Sequence, residues 1–442
     1  MITAISIIVS IMIAAGVNTG FRGADSLMEM AEPWVVIFGD EQFDKYIPML
    51  EGKRVALFSN HTGIVGDKNS GTFRTGTDPC SIPFGTGADG EEIIYGEHIL
   101  DALIERDVNV TAVFCPEHGF RGTEDAGAGV DDSVDDKTGV PILSLYSGGG
   151  HSLSREAMER FDILVADMQD VGLRYYTYYI SLYYLMDACA ADGKEVLILD
   201  RPNPNGFYVD GPILEEEYKS GVGILPIPVV YGMTWGELAQ MINGEGWLEA
   251  GQDACDLTVI PCRNYTHQTK TSLIRRPSPN LKDMRAVYLY ASTCFFENTA
   301  VSVGRGTDHP FEIYGSPYLE EVDGFEFSFT PRSMEGASNP PFKGETCYGV
   351  DLREIPIGEI EGAGINLDYL IEAYNAVSEA APDVDFWGRP DGGQYWIDKL
   401  SGSSLLRTMI EEGRSAQEIK DTWQEDLEAF KEQRRPYLLY KE

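Results

Sequence analysis

Short apolar runs rich in β-branched residues recur between residues 54 and 260, and most end on a polar cluster. They lie at 54–60, 108–115, 141–146, 162–168, 194–199 and 257–260. Runs that are apolar at successive positions read as strands buried on both faces. Helix-like segments separate them at 98–106, 154–161, a stretch ending near 192, and 234–243. Ser152 or Ser154 is placed to cap the second helix and Thr234 the last. Strand–helix alternation of this kind predicts an α/β fold, a largely parallel sheet covered on both sides.

In such a sheet the carboxyl ends of the strands share one edge, where ligands bind. Asn60, Glu117, Gln169 with Asp170, and Asp200 with Arg201 each follow the end of a different run. The densest cluster is 115–122. Pro116 stops the strand. Glu117, His118 and Arg121 then supply a carboxylate, an imidazole and a guanidinium between turn-forming Gly119 and Gly122. The competing reading is a surface turn in which Glu and Arg pair. Residues 66–95, rich in Gly, Thr and Asp, read as a loop insertion. Its Gly85-Thr86-Gly87-Ala88-Asp89-Gly90 follows Pro79 and Pro83 rather than a strand, so it lacks the setting of a dinucleotide site. Asp131, Asp132, Asp135 and Asp136 lack EF-hand spacing and read as a solvated loop.

Beyond about residue 265 the alternation weakens. Residues 276–280 read as an extended linker, 367–380 and 405–430 as helical, and Trp387, Trp396 and Trp423 as core. The expected organisation is a leader at 1–35, a sheet domain at 36–265 and a smaller α+β domain at 266–442.

Charge narrows the partners. Asp and Glu number 71 against 34 Lys and Arg, a net charge of −37, which repels nucleic acid and anionic lipid. An anionic ligand needs a local gathering of arginines. The apolar stretch at 4–16 is too short to span a bilayer and has the length of a signal-peptide core, although no Lys or Arg precedes it. Export is the expectation, and stable membrane insertion is not. The seven cysteines form no C-x-x-C pair. Cys255 and Cys262 are spaced to bridge, and an odd count leaves at least one thiol free.

Six motifs together resemble the DUF1343 (YbbC or NamZ) family of exo-β-N-acetylmuramidases: 59–63 (SNHTG), 116–122 (PEHGFRG), 167–178 (DMQDVGLRYYTY), 200–204 (DRPNP), 277–280 (PSPN) and 304–311 (GRGTDHPF). They run in the family's order over about residues 50–440. Two stretches depart from its pattern: the long 66–95 insertion, and Val301-Ser302-Val303 in place of more polar residues. The resemblance implies a Rossmann-like domain, a smaller C-terminal domain and an active site between them. It implies release of N-acetylmuramic acid from the non-reducing end of peptidoglycan-derived saccharides, with no cofactor or metal.

Glycoside hydrolysis needs a proton donor and stabilisation of an oxocarbenium-like state. Glu117 matches the family's glutamate and is the expected donor, oriented by His118 and Arg121. Asp170 is the expected second carboxylate, with Glu297 the alternative. Asp167 and Asp200 read as structural. Tyr175, Tyr176, Tyr178 and Tyr179 suit sugar stacking, although helical alternation puts half of them in the core. Arg174, Arg201 and Arg305 are expected to read the lactyl carboxylate, or else to pair with Asp170, Asp200 or Asp308. Asn60, Gln169 and Asn203 complete the expected contacts. Two other readings stay open: a metal hydrolase using His98, His118 and Asp170, and a non-catalytic sugar-binding module.

Overall fold

A computed structural model describes residues 36–66, 96–116, 120, 133–145, 153–249, 254–390 and 392–442. In chain order the strands are β1 (Val55–Phe58), β2 (Ile64–Val65), β3 (Glu97–His98), β4 (Val110–Cys115), β5 (Ser133–Val134), β6 (Pro141–Ser144), β7 (Ile163–Ala166), β8 (Glu195–Leu199), β9 (Asp210–Ile213), β10 (Pro228–Val230) and β11 (Asp256–Ile260). Seven of them form one sheet in the order β11-β8-β7-β1-β4-β6-β5. Every neighbouring pair is parallel except the edge pair β5–β6.

The period-2 geometry of a strand explains why those runs are apolar throughout. Val55, Leu57, Val113, Ile163, Val165 and Leu197 join one core, with the helices Phe43–Leu50 and Ile99–Ile104. Ala56, Phe58, Phe114, Leu164, Ala166, Val196 and Ile198 join the other, with Tyr178–Asp192 and Trp235–Gly244. Ser154 caps Arg155–Met158, and Thr234 with Glu237 forms a capping box on Trp235–Gly244. The insertion is bracketed by the antiparallel pair β2–β3, and its G-x-G-x-x-G stretch lies outside the described residues, as do Asp131 and Asp132.

The C-terminal region holds a three-stranded antiparallel sheet, β12 (Ile313–Ser316), β13 (Phe327–Phe329) and β14 (Cys347–Asp351), with helices around it. Three expectations change here. The helix expected over 405–430 is three helices, Leu405–Glu411, Ala416–Asp421 and Gln424–Arg434. Gly413 takes φ +74° after the first, and a Ser415–Glu418 capping box starts the second. The stretch 276–280, expected as an extended linker, is packed into the fold: Pro277 and Ser278 are buried, and the Pro277 carbonyl accepts the Tyr176 and Tyr178 hydroxyls. Cys255 and Cys262 are free and buried, as is every described cysteine.

Val36–Glu442 packs as one compact unit, and a single apolar core runs from Ala56 to Phe430. Polar ties cross the 265/266 line as well. Tyr175 Oη donates to the carbonyls of Tyr290 and Ala291, Arg174 to that of Leu400, and Tyr440 Oη to Asp200. Each such bond contributes about 1 kcal/mol net, against a total stability of roughly 5–15 kcal/mol. A fragment ending at residue 265 should therefore show no cooperative thermal transition by circular dichroism. A sharp melt with a native-like spectrum would mean that the sheet half folds alone.

Candidate active site

The carboxyl edge of the sheet is built on buried charge. Arg201, just past β8, donates from Nε to Asp167 Oδ1 at 2.6 Å, and from one terminal nitrogen to Asp167 Oδ2 at 2.9 Å and Asp40 Oδ2 at 2.7 Å. The Arg201 side chain is 3% exposed and both carboxylates are fully buried. Burial works against the guanidinium charge, but Asp167 and Asp40 outweigh it, and the net effect raises the Arg201 pKa. Asp200 accepts from Thr234 Oγ1 at 2.7 Å, Gly236 N at 2.9 Å and Tyr440 Oη at 2.5 Å. Burial pushes its carboxyl up to about 6 despite those bonds. The structural reading of Asp167 and Asp200 matches this geometry.

The turns above the edge are cross-linked. Asn60 Oδ1 accepts from Thr62 N and Oγ1, and Thr62 Oγ1 accepts from Gln169 N. Gln169 Nε2 donates to the carbonyls of Asp170 and Pro202. Gly172 takes φ +75°, and a Cβ there would lie 2.0 Å from Asn203 Oδ1, so the turn after Asp170 requires glycine. Asn203 itself is bound to Met233 O and Asn205 N. Met168, Gln169, Asp170, Asn203, Met233 and Trp235 are among the residues that line a small crevice here.

Asp170 Oδ2 accepts from Tyr231 Oη at 2.6 Å and Trp235 Nε1 at 3.0 Å. Burial raises its pKa to about 6, against the pull of Tyr231, Trp235 and the nearby backbone amides of Val171 and Gly172. Asp170 Oδ1 and Asn60 Nδ2 are buried without a hydrogen-bond partner among the described residues. They are an acceptor and a donor at the ends of neighbouring strands β7 and β1. A buried polar atom left unsatisfied costs about 1–3 kcal/mol.

Other expected site residues are engaged elsewhere. Arg174 is fully buried and donates to the carbonyls of Pro212, Ile227 and Leu400, with no carboxylate partner among the described residues; burial lowers its pKa to about 10. Neither the pairing with Asp170 nor a ligand contact fits that position. Arg201 pairs with Asp167 and Asp40 rather than Asp200. Tyr175, Tyr176, Tyr178 and Tyr179 are all buried, and the hydroxyls of the first three hold the carbonyls of residues 277, 290 and 291. A buried seam replaces the expected stacking face.

Arg305 differs. Its Nε donates to Glu297 Oε1 at 2.7 Å, its terminal nitrogens make no hydrogen bond among the described residues, and both side chains are 23% exposed. Asp308 pairs instead with Arg332. Tyr176 lies within electrostatic reach of Asp170 and Tyr290, and Tyr290 within reach of Arg305 and Glu297. One tyrosine layer thus links the sheet edge to the Glu297–Arg305 pair.

Glu117, His118 and Arg121 lie outside the described residues; Cys115 and Pro116 at the end of β4, and Phe120, flank them. His98 is occupied: its Nε2 donates to Asn60 O, and its Nδ1 accepts from Leu100 N as the helix cap. No ring nitrogen remains there for a metal, which removes one ligand of the metal-hydrolase reading. Among the described residues no group of three His, Cys, Asp or Glu is placed to hold an ion. Sequence reasoning missed Asp40, Tyr231, Trp235 and Tyr440. Only the Thr234 cap beside Trp235 carried any signal.

Residues 91–285 match the N-terminal sequence model of the exo-β-N-acetylmuramidase NamZ family, and residues 288–440 match its C-terminal one. The chain belongs to the NamZ family. It is 32% identical over 454 residues to the peptidoglycan β-N-acetylmuramidase NamZ of Bacillus subtilis (strain 168), across 99% of both chains. Two crystal structures of DUF1343 family proteins from Bacteroides fragilis NCTC 9343 share the NamZ-family fold. One is 50% identical with TM-score 0.77, covering 92% of this chain and 99% of its own. The other is 26% identical with TM-score 0.72, covering 93% and 100%.

The raised Asp170 pKa has a stability consequence with a definite sign. In an unfolded chain an aspartate titrates near about 3.9; folded, Asp170 holds its proton to about 6. The folded state therefore binds more protons in that window, and stability falls as pH rises through it. Asp170→Asn removes the titration. Its unfolding free energy should gain on the wild type between about pH 4 and pH 6, by an amount on the order of 3 kcal/mol. Denaturant melts at several pH values measure this, and parallel curves would contradict it.

Proposed function

We propose that this chain is an exo-β-N-acetylmuramidase that releases N-acetylmuramic acid from the non-reducing end of peptidoglycan fragments. The observation that carries the reading is the likeness to the Bacillus subtilis enzyme along essentially the whole of both chains. We place the reaction at the carboxyl edge of the sheet, facing the C-terminal region. The unpaired Asn60 donor and Asp170 acceptor on adjacent strand ends support a polar ligand there. Glu117, next past the end of β4, is the proton donor, and His118 and Arg121 orient it or the sugar. Asp170 is the second carboxylate. Gln169, Asn203, Tyr176 and Tyr178 shape the walls through their backbone ties.

The lactyl carboxylate must be read against a net charge of −37. Of the three arginines considered, Arg305 keeps two donor nitrogens for a planar carboxylate, while Arg174 and Arg201 serve the fold. Glu297 then holds the Arg305 fork in place. The apolar stretch at 4–16 supports export to where peptidoglycan lies; fractionation that leaves the mature enzyme in the cytoplasm would count against it.

A chromogenic N-acetylmuramide assayed beside the N-acetylglucosamine analogue tests the activity. The muramide should be cleaved and the analogue nearly inert; no muramide cleavage sinks the reading. Glu117→Gln keeps the shape and removes the proton, so kcat should fall by about 10²–10⁴ with the fold intact. Near-normal turnover would take Glu117 out of the mechanism. Arg305→Met should cost roughly ten- to a hundredfold in kcat/KM for the muramide, with far less change on the glucosaminide. Equal losses on both would mean that Arg305 does not read the lactyl group.

A further inference from the structure

Asp170 is an unusual carboxylate for its depth. It is 7% exposed, and no cation pairs with it among the described residues. A buried charge without a partner normally neutralises or is lost from a core. Here neutral donors are supplied instead, and the two side-chain donors converge on one oxygen. Tyr231 Oη and Trp235 Nε1 both bind Oδ2, while Oδ1 has no side-chain partner among the described residues.

Both donors are mounted on rigid parts. Tyr231 is fully buried and follows β10, whose Val230 bridges to Leu173 and whose Val229 carbonyl accepts Arg174 N. Trp235 opens the helix capped by Thr234, and its ring stacks on Phe58 of β1 at 5.9 Å and 4°. That helix start is tied down by Asp200, which also takes Tyr440. The terminal torsion of an aspartate is soft. Two fixed donors on one oxygen remove that freedom and turn the other oxygen in a set direction.

We infer that Tyr231 and Trp235 are the positioning residues of Asp170, and that Asp170 acts on substrate through Oδ1. The inference rests on the muramidase reading above and deepens it. The two donors also favour the ionised form, as a second carboxylate requires while Glu117 stays protonated. Among the described residues the titratable groups facing Asp170 are Tyr231, Tyr176 and Tyr179, whose hydroxyls burial pushes upward, so they stay neutral over the working range.

Tyr231→Phe keeps the ring and removes only the hydroxyl. On the chromogenic muramide, kcat should drop about ten- to a hundredfold with KM within about twofold. The acid limb of the pH–kcat profile should move up by about one pH unit, because a bond to the charged form is gone. In an Asp170→Asn background the same change should cost nothing further. Trp235→Phe should move the limb the same way, and its limb decides the matter if Tyr231→Phe does not fold. A folded variant with an unmoved acid limb overturns the inference, as does an equal loss in the Asp170→Asn background. A wild type inactive on the muramide overturns the muramidase reading and this inference together; an active wild type with an unmoved limb overturns this inference alone.

Discussion

One buried guanidinium ties the working edge of the sheet together. Arg201 follows β8, Asp167 follows β7, and Asp40 comes from the turn Gly39–Glu41, more than a hundred residues earlier. The one cation sits between two carboxylates, all out of water. Removing it would leave two uncompensated buried charges, a loss of about 3–5 kcal/mol for a broken buried pair. The ends of adjacent strands are thereby fixed relative to each other. The described turns that carry Asn60, Gln169 with Asp170, and Asn203 all rise from that edge.

The charges sort by what surrounds them. Arg174 and Arg201 are closed in and serve the frame. The Glu297–Arg305 pair remains partly open, in a loop held in uncommon backbone geometry. Asn298 and Phe311 take φ of +61° and +67°, and Gly304 and Gly306 flank the arginine at +76° and +80°. Non-glycine residues in that region cost of order 1–3 kcal/mol each and gather where a side chain must be aimed. Phe311 also lies beneath the Arg305 guanidinium, 5.0 Å from its ring centre. The global field of a chain with net charge −37 disfavours an anionic ligand, so local cations must offset it.

The sheet was legible because its signals are local. Apolar runs such as 108–115 needed no distant partner to be read, and Pro116 marked where the strand stops. Ser154 and Thr234 announced their helices in the same way. What stayed hidden depends on partners far apart in the chain. Nothing near Asp200 points to Tyr440, and nothing near Asp170 points to Tyr231 or Trp235. The tyrosines at 175–179 look like a sugar platform by composition, yet the hydroxyls of Tyr175, Tyr176 and Tyr178 meet carbonyls about a hundred residues away, and that of Tyr179 accepts from Ile224 N. The arginine motifs were visible as residues, but their duties were not, because a guanidinium in a motif looks the same whether it meets a ligand or a carbonyl. The Ser415–Glu418 box is a local start signal inside the stretch 405–430, and it divides what reads as one helical segment.

The account stands or falls on where the sugar sits. The direct measurement is a crystal structure of Glu117→Gln soaked with an N-acetylmuramic acid disaccharide. The account predicts the muramyl ring at the carboxyl edge of the sheet, with Asp170 Oδ1 toward its anomeric carbon and the lactyl carboxylate on Arg305. A second, mainly apolar groove lies elsewhere, lined in part by Ile213, Leu405, Leu406 and Trp423. Sugar density in that groove, with the sheet edge empty, would contradict the account.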